Sequence, residues 1–191
     1  MEVMEAVKTR RSIRKYKTTP VDDKTVELVL EAARWAPSWK NNQCWQFIVV
    51  RDDKVKAGLA DTLSKVKRDD TLVDNPAVEA IMSAPVVIVV CAELGKSGYM
   101  GGKQATDKGD WWYMFDVALA VQNLMLVAHS QGLATVPLGL FDAKRAASIL
   151  EVPDGFCVVE MTPLGYPDQE PKARPRKELS EIVSYDSYGR R

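Results

Sequence analysis

An α+β layer fold is what the sequence predicts, on three observations. Helical and extended stretches are mixed without the strict alternation of a doubly wound sheet. Residues 86–92, VVIVVCA, form a continuous apolar run after Pro85, the pattern of a central strand covered on both faces. Residues 110–132, DWWYMFDVALAVQNLMLVAHSQG, read as one helix around which the rest must pack. Met114, Val117, Ala118, Val121, Met125 and Ala128 make one apolar stripe, and Phe115, Leu119, Leu126 and Val127 make others. A helix apolar nearly all round is buried, in a core or between subunits, and this is a first hint of an oligomer. Asp110 is expected to cap its first turn, and Gly132 to take the left-handed conformation past its last. Asp116, Gln122 and Asn123 interrupt the run, which argues against a membrane span.

The remaining elements follow in chain order. Residues 2–9 read as a short helix offering Val3, Met4 and Val7 to a core, and lead into the basic run Arg10-Arg11-Ser12-Ile13-Arg14-Lys15-Tyr16. Asp22 suits an N-cap, with Val26, Val29, Leu30 and Ala33 on one face of a helix that ends before Pro37. A polar loop with Trp39 in it precedes the strand WQFIVV at 45–50. Asp52 or Asp53 opens another helix, with Leu59, Leu63 and Val66 inward. Residues 67–79 are charged and lose periodicity, which fits a surface excursion with one helical turn. Residues 93–109 carry Gly95, Gly98, Gly101, Gly102 and Gly109 and read as a long loop, a kind of segment that is usually functional or mobile. An extended piece at 133–139, a helix at 143–150 and a strand at 156–162 come next. Pro163-Leu164-Gly165-Tyr166-Pro167 is a turn, and the charged tail beyond Asp168 has apolar anchors at Leu179, Ile182 and Val183. No repeat or linker divides residues 1–191, so a single domain is expected.

Composition narrows the function classes. Hydrophobic residues are 46% and charged residues 27% of 191, an ordinary globular mixture. Lys+Arg and Asp+Glu are both 26, so neither nucleic acid nor an anionic membrane is indicated as a partner. MEVMEAVKTRR has no apolar signal core, and Cys44, Cys91 and Cys157 form no CxxC pair, which together suit a reducing cytoplasm. With His129 as the single histidine, an imidazole-built zinc site is excluded, and no metal site is expected. His129 falls in the last turn of the central helix, where a polar or positive group suits the helix end.

Chemistry could reside in two places. Arg10, Arg11 and Arg14 with Ser12 form one basic cluster, and Arg174, Arg176 and Lys177 form another. Either alone could be a solvated face. Brought together, their guanidinium forks and a hydroxyl would hold a phosphate dianion. The second place is 37–43, where Trp39 could be a surface or core aromatic, or could stack on a planar ligand with Asn41 and Gln43 offering amide groups. There is no P-loop, no G-x-G-x-x-G after a strand, no HExxH and no G-x-S-x-G.

Four blocks taken together resemble the nitroreductase family of FMN-dependent NAD(P)H oxidoreductases. They are RRSIRKY (10–16), APSWKNNQCWQFIVV (36–50), the central helix with its sequel GLATVPLGLFD (132–142), and PLGYP with the RPRK tail (163–177). The resemblance implies a nitroreductase-like fold: a central, mainly antiparallel sheet flanked by helices, in an intertwined homodimer that exchanges C-terminal arms. It implies FMN as cofactor, with Arg10, Arg11, Ser12, Arg174 and Arg176 at the phosphate and ribityl chain. Arg14 would lie beside flavin N1 and O2 as an electrostatic stabiliser. Pro37, Ser38, Trp39 and Asn41 would approach the flavin from the second subunit, and backbone at Leu138, Gly139 and Leu140 would reach N5 and O4. Leu140 stands where many relatives have a small residue. The implied activity is hydride passage from NAD(P)H through flavin N5 to a small electron-poor acceptor, nitroaromatic or quinone, with ping-pong kinetics and no catalytic side chain. Reductive dehalogenation or flavin destruction on the same scaffold, and a non-enzymatic FMN- or nucleotide-binding module, stand as alternatives.

Overall fold

The computed structural model describes residues 1–191. In chain order the elements are α1 (Val3–Thr9), α2 (Asp23–Arg34), β1 (Trp45–Val50), α3 (Asp53–Ala60), β2 (Val66–Arg68), β3 (Thr71–Val73), α4 (Ala77–Ser83) and β4 (Val86–Glu93). They continue with β5 (Tyr99–Met100), β6 (Lys103–Gln104), α5 (Trp112–Ser130), β7 (Ala134–Thr135), α6 (Ala143–Ile149), β8 (Phe156–Gly165) and α7 (Leu179–Ile182). Four strands form the sheet in the order β1-β4-β8-β7, every pairing antiparallel. The expected α+β layering with a central antiparallel sheet is therefore what the chain forms.

β4 sits inside the sheet with Val86 through Ala92 buried, as its continuous apolar run requires. Its alternate residues feed two cores. Val86, Ile88 and Val90 pack with α2 and α5, through Val29, Ala120, Leu124 and Ala128. Val87, Val89 and Cys91 pack with α3, α4 and α6, through Leu59, Ile81 and Ala146. The segment Gly109–Ser130 is long and apolar enough to cross a bilayer. Its buried face instead forms the first of these cores, and Asp116 within it is fully hydrogen-bonded by protein groups.

Several expectations need correction. Asp110 does not cap α5; a 3-10 turn, Gly109–Trp111, precedes the helix, and Asp110 accepts instead from the Tyr99 hydroxyl. Gly132 does take a positive φ of 74°, closing the helix as expected. α3 stops at Ala60, so Leu63 lies beyond it and Val66 belongs to β2; the following turn Thr62 is held by Leu59 O. The surface excursion expected at 67–79 is more regular than its composition suggests: β2 and β3 form a hairpin whose tight turn has Asp69 and Asp70 at positive φ, and the expected helical turn is α4, from Ala77. The loop at 93–109 contains the two-residue hairpin β5–β6.

The single chain leaves apolar surface without a partner. On α1 only Ala6 is buried, and Val3, Met4 and Val7 are exposed. α5 shows a stripe of Trp111, Met114, Phe115 and Ala118 to the outside, with Phe115 58% exposed. In the tail, Leu179 and Ile182 are exposed rather than anchored. These corrections share one cause: the apolar positions are real, but nothing in the same chain covers them.

Candidate functional site

The N-terminal basic block and the start of the C-terminal tail meet because that block is sewn to β7 and to the residues just past β8. Ile13 N–H donates to Thr135 O, Lys17 N–H to Tyr166 O, and Asp168 N–H to Lys15 O. The Tyr16 hydroxyl donates to Ile13 O at 2.6 Å, and burial pushes its pKa up. Gly165 makes this approach possible: a β-carbon there would lie 2.6 Å from Pro85 and 3.2 Å from the Tyr16 ring. The tail that carries Arg174 and Arg176 thus leaves the sheet beside the strand-like run that carries Arg10 to Arg14.

The outcome is a cluster of cations. The Arg10 pKa is lowered first by burial, then by Arg176 and Arg11, so guanidinium groups from opposite termini act on one another. Arg10 Nη1 is buried without a hydrogen-bond partner. His129, at the end of α5, is lowered by burial and then by Arg10 and Arg11, and its Nε2 lies 2.8 Å from Thr9 Oγ1. Like charges acting on one another around an unsatisfied donor suit a bound dianion, and these residues fit a phosphate. Ser12 is bridged to Thr135, whose buried Oγ1 also lacks a partner. Arg11 turns its Nη1 to the carbonyls of Lys8 and Arg10. Arg14 is exposed beside the Tyr16 hydroxyl, and Arg174 is exposed with no contact that draws it into the cluster.

The second part of the site is the loop 37–43, at the other end of α5. Lys40, Asn41 and Gln43 all have positive φ, at 47°, 57° and 50°. Such backbone is costly for Lys and Gln and persists only where the surroundings impose it. The constraint is Asp116, buried in α5, whose carboxylate accepts from Trp39 N–H at 3.2 and 3.1 Å and from Ser97 Oγ at 2.6 Å. Ser38 Oγ accepts from Gln43 N–H, and Pro37 and Asn41 are exposed. The Trp39 ring meets Trp112 edge-on at 4.9 Å, while its Nε1–H donates to Tyr99 O. Asn42 Nδ2 donates to Lys96 O. Trp39 is therefore a half-buried anchor that also joins the loop to the β5–β6 hairpin. Asp116, Ser97 and Tyr99 were not among the sequence-derived candidates; the signal was one acid inside an otherwise apolar helix.

Asp116→Ala should leave the Ser97 hydroxyl and the Trp39 amide buried without an acceptor, a loss of about 1–3 kcal/mol. Urea unfolding measures it, and unchanged stability would show that the loop is held by other means.

The third part is the segment after β7. Leu138 and Met161 exchange both backbone hydrogen bonds. Gly139 and Leu140 are exposed, and their N–H groups have no partner within the chain, so both are free donors. The Trp39 loop and the Arg10 cluster lie at opposite ends of α5, tied to Asp116 and His129. Thirteen residues of helix separate those two positions by about 20 Å.

The sequence model of the nitroreductase family matches residues 7–166. The chain is 31% identical over 178 residues to a protein of Methanothermobacter thermautotrophicus that carries the name NADH dehydrogenase/NAD(P)H nitroreductase, covering 91% of this chain and 82% of that one. A nitroreductase family protein from Clostridium novyi NT superposes with a TM-score of 0.75 at 31% identity, over 100% of this chain and 97% of its own. An FMN-dependent nitroreductase from Clostridium difficile R20291 does so with a TM-score of 0.76 at 26% identity, over 97% of this chain and 99% of its own. On its sequence and its fold, this chain belongs to the nitroreductase family.

Proposed function

We propose that this protein is an FMN-dependent oxidoreductase that passes a hydride from NAD(P)H to an electron-poor acceptor of nitroaromatic or quinone type. The observation that carries the proposal is the cluster of Arg10, Arg11 and Arg176 with a buried, unpartnered guanidinium nitrogen. Bound FMN supplies the two-electron chemistry; the chain supplies binding, orientation and electrostatics.

Arg10, Arg11, Ser12, Arg174 and Arg176 would hold the phosphate and ribityl chain. Arg14 would place its charge beside flavin N1 and O2, a fixed cation where negative charge collects. The free N–H groups of Gly139 and Leu140 would donate at N5 and O4; the backbone, not the Leu140 side chain, makes that contact. One ring face serving donor and acceptor in turn implies ping-pong kinetics.

The working unit is a homodimer. Pairing two α5 helices antiparallel covers the exposed Trp111–Phe115 stripe and sets the 37–41 loop of one chain beside the Arg10 cluster of the other. Leu179 and Ile182 then find their cover on the second chain as an exchanged arm. Three free cysteines suit a reducing cytoplasm.

The test is the absorption spectrum of purified protein. A yellow flavin spectrum that bleaches under anaerobic NADPH or NADH is expected. Colourless protein that takes up no added FMN would overturn the proposal.

A further inference from the structure

Glu160 is an acid placed where a strand needs none. It lies on β8 opposite Val90, with only 8% of its surface exposed, in the sequence FCVVEMTPLG. The Thr162 hydroxyl, itself buried, donates to both carboxylate oxygens at 2.9 and 2.8 Å. No cation compensates it. On β4 the residue across is Val90. On α5, which covers this face, Asp116 is bound by Ser97 and Trp39, Tyr113 pairs with Cys157, and His129 pairs with Thr9. α6 packs on the opposite face, and its Arg145 is paired with Asp61. Burial pushes the Glu160 carboxyl up to about 8, while Thr162 and the Leu138 amide pull the other way.

The position of this acid is informative. Leu138 and Met161 are paired antiparallel, so the next step of the register sets Gly139 beside Glu160 on the same face. Along that row Thr135 is buried, whereas Pro137 and Gly139 are exposed, so the face opens at the segment with the free N–H donors. Nothing lies within 4 Å of where a β-carbon at 139 would be. Glycine at 139 therefore puts no side chain beside Glu160 at the point where the row opens.

We propose that Glu160 is the electrostatic control of the redox site: its charge, set next to Gly139, governs how readily bound FMN accepts electrons. This rests on the Leu138–Leu140 segment meeting FMN as proposed above. Neutral, the carboxyl leaves electron addition unopposed; ionised, it opposes it by like-charge repulsion in a medium that screens poorly. Reduction in turn raises the Glu160 pKa. Over the pH range between its two values, the Glu160 carboxylate oxygen would take up one proton from solvent when the bound cofactor is reduced by the nicotinamide.

The experiment is a spectroelectrochemical titration of FMN-loaded wild type, Glu160→Gln and Thr162→Val from about pH 6 to about pH 10. Wild type and Glu160→Gln should coincide at the acid end. Above the Glu160 pKa the wild-type potential should fall below that of the variant by at least a tenfold change in equilibrium, about 30 mV for a two-electron couple. Thr162→Val removes the donor that favours the carboxylate, so its divergence should begin at higher pH. A second readout needs no FMN. Because the folded pKa is raised, the stability Glu160 contributes is present below about pH 4.3, the ordinary carboxyl value, and is lost as pH rises through about 8. Apoprotein unfolding should show wild type losing stability relative to Glu160→Gln over that range. Protein that takes up no FMN overturns the function and this role together. FMN-loaded wild type and Glu160→Gln with parallel potentials at every pH overturn the role of Glu160 alone. Should Glu160→Gln not fold, an unmoved pH break in Thr162→Val overturns it equally.

Discussion

Replacing Arg10 with alanine is expected to weaken FMN binding by about 1.5–3 kcal/mol, a rise in Kd of roughly 10- to 150-fold. The magnitude is that of a charged hydrogen bond in a partly buried place. Burial and then the charges of Arg176 and Arg11 lower the Arg10 pKa, and its Nη1 is buried without a partner, so the free protein holds it at a cost that a phosphate removes. Arg176→Ala should have a similar effect. The double variant should lose less than the sum, because each arginine also repels the other in the free protein. His129 gives an independent readout, since it is the only histidine and titrates alone in a proton NMR spectrum. Its pKa is lowered by burial and then by Arg10 and Arg11, so it should rise in Arg10→Ala. It should also rise when FMN brings a dianion to the cluster. Unchanged flavin affinity in both arginine variants would remove the phosphate assignment.

Phe115→Glu is expected to have the larger consequence, loss of the dimer and of FMN together. Phe115 is 58% exposed on α5, next to Trp111 and Met114, and its ring contacts Trp112 within the chain. The substitution costs a single folded chain little, because the position already faces outward. In an antiparallel helix pair it buries a charge without a partner, which costs several kcal/mol and occurs twice by symmetry. Sedimentation velocity should then show a single subunit, and gel filtration should strip it of flavin. A variant that stays dimeric would place the interface on another surface.

Much of the fold was legible because burial leaves a direct trace in sequence. β4 was readable from VVIVVCA and α2 from its Asp22 cap, whose carboxylate accepts from Thr25 N–H. The errors fell where a local signal had a stronger competitor. Asp110 suits a cap, but the Tyr99 hydroxyl claims it. Val3, Met4, Val7, Leu179 and Ile182 are apolar at the right spacing, yet what would cover them is not in the same chain. The site was half legible. Arginines at both termini were visible as clusters, but not that residues 15–17 pair with 166–168, or that the charge of Arg176 reaches Arg10. Asp116 and Glu160 were passed over for one reason: an acid within an apolar run has no spacing rule, and its meaning depends on neighbours distant in sequence. Asp116 holds a strained loop through Trp39, and the register of the Leu138–Met161 bridge sets Glu160 beside Gly139.

The most direct measurement is a crystal structure of the protein grown with FMN. The phosphate should lie within hydrogen-bond distance of Arg10 and Arg176 of one chain, with the ring over Gly139 and against the 37–41 loop of a second chain. A phosphate held away from both arginines, or a flavin enclosed by one chain alone, would contradict it.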